Sequence, residues 1–278
     1  MIIKNKKINF VKLVGAGNDF VFIDNRVCRI TSAAQLKDLA CKMCDRKFGV
    51  GADGLLVLEK SGIADSKMRI FNADGSEAQM CGNGARCFAY YLSGGKQPGK
   101  SLSLVLETKA GLVKAHVNGD IIKVNITQPK GLKLGIPLKV SGRDIKVDFI
   151  NTGVPHAVIF VEGLDKIDVK SIGREIRYHR FFAPAGTNVN FVEITGPDSI
   201  KIRTYERGVE DETLACGTGS TAAALIAGLK VPGQVSKFNV HTAGGEILKI
   251  YFTRVGKNFK DVWLEGRAKL IYRGEYYV

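Results

Sequence analysis

The phrase Cys-Gly-x-Gly occurs twice in this chain, about half a chain length apart, and each copy runs into an apolar, helix-forming stretch. The first reads Met80-Cys81-Gly82-Asn83-Gly84-Ala85 and the second Ala215-Cys216-Gly217-Thr218-Gly219-Ser220. The stretches ahead of the two copies also follow one plan. In the first half, alternating strands over 8–13 and 20–24 flank the turn Val14-Gly15-Ala16-Gly17-Asn18. A helix over 33–44 follows, with Ser32 and Gln35 spaced as a capping box, then a Gly-rich loop and strands over 55–59 and 67–71. In the second half, strands over 145–150 and 157–161 flank the turn Asn151-Thr152-Gly153-Val154-Pro155. A helical segment near 169–178 and strands over 189–194 and 200–205 come next. Each half then has a loop, the cysteine phrase, a helix (84–92 or 218–228) and closing strands. Identity between the halves is low, so what repeats is architecture.

This pattern predicts an α/β (α+β) protein of two similar mixed-sheet halves, packed about a pseudo-two-fold axis with a cleft between them that brings the two cysteine-bearing helix starts face to face. The domains expected are 1–128, completed by 267–278, and 129–266. The segment over 128–137, with two prolines and two glycines, reads as the linker.

Composition narrows the class. Hydrophobic residues at 45% and charged residues at 24% suit a globular protein with a sizeable core. No apolar run of about 18 residues occurs, and the stretch 1–7 lacks an apolar signal core. No membrane span is expected, and a cytoplasmic location is. A formal charge of +14 is unusual, but the lysines are scattered and no aromatic-basic RNA-binding signature accompanies them. A solvated basic surface is expected rather than a nucleic-acid partner. The six cysteines include one CxxC, Cys41 to Cys44, inside the helix over 33–44. No second CxxC pairs with it, so both cysteines are expected to face the core. The four histidines are widely separated, and no metal is expected.

A cysteine just ahead of a helix sits among unpaired backbone N–H groups at the positive end of the helix dipole. That setting favours the thiolate. Two such cysteines suggest a symmetric task, taking a proton from one face of a carbon and returning one to the other. The adjoining glycines let backbone N–H groups approach a carboxylate, which must accept charge as the proton leaves. Among the flanking residues, Arg207 could clamp a second carboxylate bidentately. Asn72 and Asn188 could orient it, and Glu206 could accept from an ammonium group. His156 follows Pro155 in the second-half turn, where a core or supporting role is as open as a catalytic one.

The chain resembles the diaminopimelate epimerase family over nearly its whole length. The matching phrases are Gly15-Ala16-Gly17-Asn18-Asp19-Phe20, Asp45-Arg46 with Gly49-Val50-Gly51-Ala52-Asp53-Gly54, Phe71-Asn72-Ala73-Asp74-Gly75-Ser76-Glu77, and Met80 through Cys87. They continue with Gly186-Thr187-Asn188-Val189 and Tyr205-Glu206-Arg207-Gly208 through Gly219. The resemblance implies two domains, each a mixed sheet wrapped around a central helix. It implies cofactor-independent interconversion of LL- and meso-diaminopimelate, on the route to lysine and cell-wall precursor, by a homodimer. By resemblance Cys81 and Cys216 are the acid/base pair, and Gly82, Asn83, Gly217 and Thr218 bind the carboxylate at the reacting centre. Asn18, Asn72, Asn188, Glu206 and Arg207 contact the substrate, with Arg207 at the distal carboxylate. Two positions depart from the pattern: Gly54 stands where many members carry Gln, and Val154 where many carry Asn. The nearest alternative is a proline racemase-like enzyme, whose substrate would leave the Glu206-Arg207 pair without a purpose. A basic nucleic-acid-binding protein retaining the fold is the alternative from another class.

Overall fold

The computed structural model describes residues 7–95 and 99–278. The N-terminal stretch read above for a signal lies, apart from its last residue, outside the described residues. By its internal contacts the chain divides into two compact units, Met1–Val124 with Gly266–Val278, and Asn125–Glu265.

The first unit opens with β1 (Lys7–Gly15) and β2 (Asn18–Asp24), then the short helix α1 (Asn25–Cys28) and α2 (Ala33–Cys44). It continues through β3 (Gly54–Glu59), β4 (Ser66–Asn72), the two-residue β5 (Glu77–Ala78) and α3 (Gly82–Leu92), and ends in β6 (Leu102–Thr108), β7 (Gly111–Asn118) and β8 (Ile121–Asn125). The C-terminal strand Lys269–Tyr277 returns to pair antiparallel with β1. From that strand the order runs β1, β2, β3, β4, β6, β7, β8, antiparallel except for the parallel pairs β2–β3 and β4–β6. β5 also pairs with β4.

The second unit holds β9 (Lys130–Val140), β10 (Arg143–Asn151), β11 (Pro155–Phe160), α4 (Val169–Arg177), β12 (Asn188–Gly196), β13 (Ser199–Glu206) and β14 (Asp211–Thr213). It then has α5 (Gly217–Lys230), β15 (Lys237–Thr242), β16 (Ile247–Val255) and β17 (Asn258–Arg267), before the C-terminal strand, β18. Its order is β9, β10, β11, β12, β13, β15, β16, β17, with β11–β12 and β13–β15 parallel and β14 on β13. Strand for strand this is the first unit's topology, with β9 in the place of β18. The expected mixed sheet around a central helix is present in each unit.

The strands dictate this layering. In β2, Phe20 and Phe22 point to one face and Val21 and Ile23 to the other, and all four are buried. Phe22 meets Phe88 and Tyr91 of α3, with ring centroids 5.4 and 4.0 Å apart. Val21 and Ile23 join Leu36, Leu39, Ala40 and Met43 of α2 in a separate cluster. α3 therefore fills the inside of the curved sheet and α2 covers its outside. Each of the larger α2 side chains contributes about 2 kcal/mol by leaving water. In the second unit α5 takes the inner place against β11, β12, β15 and β16, and α4 the outer place against β12 and β13. α4 lies close because Gly173 has no side chain; a Cβ there would sit 2.5 Å from the Cβ of Tyr205.

Three readings need correcting. The segment over 128–137 is largely strand β9, paired with β10 through two register shifts. It tolerates Pro137 and the left-handed Gly131 and Gly135 because only one of its sides is paired within the unit. The loops before the two cysteines contain the short strands β5 and β14. Only one CxxC cysteine faces the core. Cys44 is buried, and burial pushes its thiol up to about 12. Cys41 is exposed.

Candidate active-site residues

Cys81 is the N-cap of α3. Its backbone is extended (φ −138°, ψ 122°), its carbonyl accepts the first helical bond from Ala85 N at 2.8 Å, and its Sγ accepts from Gly84 N at 3.4 Å. The helix start lies flat on the sheet because Gly84 leaves no room for more; a Cβ there would come within 3.1 Å of Leu56 and 3.2 Å of Ile70.

The hairpin between β1 and β2 reaches the same point. Ala16 (φ 53°) and Gly17 (φ 83°) form the two left-handed residues of its tight turn. Gly15 lets the turn touch α3; a Cβ there would lie 2.9 Å from Cys87 Sγ. Asn18 is thereby delivered to Asn83, whose Nδ2 donates to Asn18 Oδ1 at 2.6 Å. Behind Asn83 stands Arg86, wholly buried, donating from Nη2 to Asn83 Oδ1 at 2.9 Å. Asn18 Nδ2 in turn donates to Asp53 Oδ2 at 2.9 Å. Asp53 is bridged by Arg46 to Asp19, which also pairs with the buried Lys12. Burial works to raise the Asp19 carboxyl, but hydrogen bonds from Arg46 and Lys12 outweigh it and hold it near 2. Asn72, at the end of β4, is exposed and donates to Ser76 Oγ at 2.9 Å.

The second unit builds its counterpart from other chemistry. Cys216 is the N-cap of α5 (φ −120°, ψ 111°) and is buried. Its carbonyl accepts from Ser220 N at 2.8 Å, and its Sγ lies 3.5 Å from Thr218 Oγ1. The hairpin turn is tied to the helix start by Thr152, fully buried, whose Oγ1 donates to the Thr218 carbonyl at 2.9 Å. A Cβ at Gly219 would collide with Asn190 Oδ1. Asn190 is fully buried; its Nδ2 donates to Ala157 O at 2.9 Å and lies 3.2 Å from His156 Nδ1. An amide NH₂ can only donate, so Nδ1 accepts and Nε2 carries the proton. Burial, and then the charge of Arg207, pushes His156 down to about 3, so the ring is neutral. Its Nε2 has no hydrogen-bond partner among the described residues.

Asn188 is buried and holds two backbones together, donating to Pro155 O at 3.0 Å and accepting from Arg207 N at 2.9 Å. Glu206 Oε2 accepts from Thr213 Oγ1 at 2.9 Å. Arg207 Nη1 donates to Ala185 O at 3.1 Å. Arg177 and Arg203 are paired with Glu210 and Glu212, but no carboxylate of the described residues lies within ion-pair distance of Arg207. Among the described residues no cluster of three or more His, Cys, Asp or Glu could hold a metal ion.

Residues 10–131 and 149–271 match the model of the diaminopimelate epimerase family. The chain belongs to this family. Relatives named diaminopimelate epimerase include one from Aquifex aeolicus, 44% identical over 96% of this chain and 97% of its own length, and one from Archaeoglobus fulgidus, 43% identical over 96% of each. Solved structures share the fold at low identity. A Bacillus anthracis phenazine biosynthesis protein of the PhzF family has a TM-score of 0.77 at 18% identity, covering 98% of this chain and 100% of that one. A probable proline racemase from Agrobacterium radiobacter has a TM-score of 0.71 at 16% identity, covering 96% and 92%.

Within this epimerase family chain, the departure at Gly54 has a physical basis. Gly54 pairs with Asn72 across β3 and β4, and a Cβ there would lie 2.7 Å from the Phe71 carbonyl. By topology Gly54 and Asn188 are equivalent, each opening a strand (β3 or β12) that pairs parallel with the second strand of its hairpin (β2 or β11), so an amide at this place is present in one unit only. Sequence reasoning assigned no part to Asp53, Arg86, Thr152 or Asn190. Asp53 and Arg86 stood inside the matched phrases, but their partners are set by the fold.

Proposed function

We propose that this chain interconverts LL- and meso-diaminopimelate without a cofactor, by proton transfer at the α-carbon between Cys81 and Cys216. The observation that carries the reading is the pair of cysteine N-caps, one per unit, at equivalent places in a repeated topology. In this reading the thiolate of one cysteine takes the α-proton from one face while the thiol of the other supplies a proton to the opposite face. The roles exchange in the reverse direction. Negative charge moves onto the adjacent carboxylate as the proton leaves. Donors that strengthen at that moment, the N–H groups of Gly82, Asn83, Gly217 and Thr218, lower the barrier. Arg207, without an acidic partner among the described residues, takes the distal carboxylate, and Asn188 fixes its backbone. Asn18 and Asn72 hold the rest of the substrate, and Glu206 accepts from an ammonium group. The neutral His156 supports the second hairpin.

The reading includes a homodimer working in the cytoplasm, and light scattering checks the first of these. The test of function is reduced enzyme given LL-diaminopimelate or L-proline in the presence of hydroxylamine, which traps carbonyl cofactors. Formation of the meso isomer with proline unchanged is expected. No meso isomer from folded enzyme would overturn the proposal.

A further inference from the structure

Asn18 and Asn83 carry two side-chain amides of the first unit's set. An amide offers an acceptor one way and donors the other, and only its neighbours decide which way it faces. Here the neighbours at the two ends decide. Arg86 has donors only, so Asn83 must turn Oδ1 toward it, at 2.9 Å. That leaves Asn83 Nδ2 for Asn18, which must answer with Oδ1, at 2.6 Å. Asn18 then presents Nδ2 to Asp53 Oδ2 at 2.9 Å, and an ionised carboxylate only accepts. The chain runs donor to acceptor at every link, from a buried cation to an anion. The other oxygen of Asp53 is taken by Arg46 Nη2 at 2.7 Å.

We infer that Asp53 is a positioning residue that fixes the orientation of the Asn18 amide, and that Arg46 makes a carboxylate necessary there. This rests on the reading above, in which Asn18 and Asn83 touch the substrate. A carboxylate serves Arg46 with Oδ1 and, with Oδ2, both Asn18 Nδ2 and the backbone N–H of Asp19 at 3.2 Å. An amide at position 53 has a single oxygen. The charge-assisted bond to Arg46 claims it, and the NH₂ group then faces the NH₂ of Asn18. Asn18 must turn over or lose its partner, and its remaining N–H no longer points as before.

The test compares Asp53→Asn, Arg46→Met and the double variant, with LL-diaminopimelate turnover and the side-chain ¹⁵N–¹H resonances of Asn18 and Asn83 as separate readouts. For Asp53→Asn, KM rises about tenfold while kcat stays within about threefold, the pattern of lost binding common to ground and transition states. The Asn18 side-chain resonances lose the downfield shift of a carboxylate-bound N–H. Arg46→Met keeps the acceptor for Asn18 and stays close to wild type. In the double variant the amide at position 53 is released to turn its oxygen to Asn18, so KM falls back toward wild type and the resonance shift returns. A structural role alone predicts the opposite, a double variant worse than either single one. An unchanged KM and unchanged resonances in Asp53→Asn, or no recovery in the double variant, would overturn the inference. Wild-type enzyme without turnover would instead sink the functional reading, while the resonances would still decide the orientation of Asn18.

Discussion

Thr152 Oγ1 donates to the Thr218 carbonyl at 2.9 Å, tying a hairpin turn to the start of the cysteine-bearing helix α5. In the other unit the same tie is made by two amides, Asn83 Nδ2 to Asn18 Oδ1. The repeated topology therefore imposes a common requirement, that each hairpin brace its helix start, and each unit meets it with different side chains. Low identity between the halves is what this freedom produces.

Thr152→Val keeps the shape of the side chain and removes its donor. The Thr218 carbonyl loses a partner, at a cost of about 1–2 kcal/mol. The urea midpoint should fall with an unchanged slope. The helix start carrying Cys216 is no longer held, and kcat/KM should fall about tenfold, since sub-ångström misplacement of a base is costly. Lost stability with unchanged turnover would limit the tie to a structural role.

His156 should give stability a pH dependence of definite sign. Its folded-state pKa is pushed down to about 3 by burial and by Arg207, whereas an unfolded His titrates near 6.5. The unfolded chain binds a proton first as pH falls, so stability is full above about 6.5 and declines between about 6.5 and 3. His156→Asn keeps the acceptor facing Asn190 and removes the titration. It should flatten that part of the stability curve, measured as denaturant midpoint against pH. An unchanged slope would mean that His156 is not held neutral.

Gly54→Ala should destabilise by about 1–3 kcal/mol, because its Cβ would press to 2.7 Å from the Phe71 carbonyl in a paired strand. Gly62→Ala serves as control, since a Cβ there meets nothing within 4 Å. Equal melting temperatures for the two variants would show that the β3–β4 ladder yields at this point.

Much of the fold was legible because local signals and burial agreed. Ser32 and the apolar spacing of Leu36, Leu39 and Met43 define α2 without ambiguity. The sequence pattern places the helices after the cysteines from Gly84 and Thr218, whereas they begin at Gly82 and Gly217. Glycine is a poor helix former, and its placement directly after an N-cap is set by packing, which a propensity pattern does not carry. Strand β9 was hidden for a related reason: Pro and Gly signal turns, but a strand paired on one side within its unit tolerates both. Asp53, Arg86, Thr152 and Asn190 acquire meaning only through partners distant in sequence, so no spacing rule exposes them.

Replacing either cysteine removes a group that must both give and take a proton at neutral pH, which a serine hydroxyl cannot do. Cys81→Ser and Cys216→Ser should each lower turnover in both directions by about three orders of magnitude, with little change in melting temperature. Near-normal turnover of either variant would contradict the assignment of that cysteine.

The most direct test of two-base transfer is proton NMR of LL-diaminopimelate in D₂O with reduced enzyme, followed from the first turnovers. One group takes the substrate proton while another, already exchanged with solvent, delivers deuterium. The account predicts that meso product carries deuterium at the inverted α-carbon while the remaining LL substrate stays protonated. Meso product that retains the substrate's own proton would show a single base returning it, and would contradict the paired roles of Cys81 and Cys216.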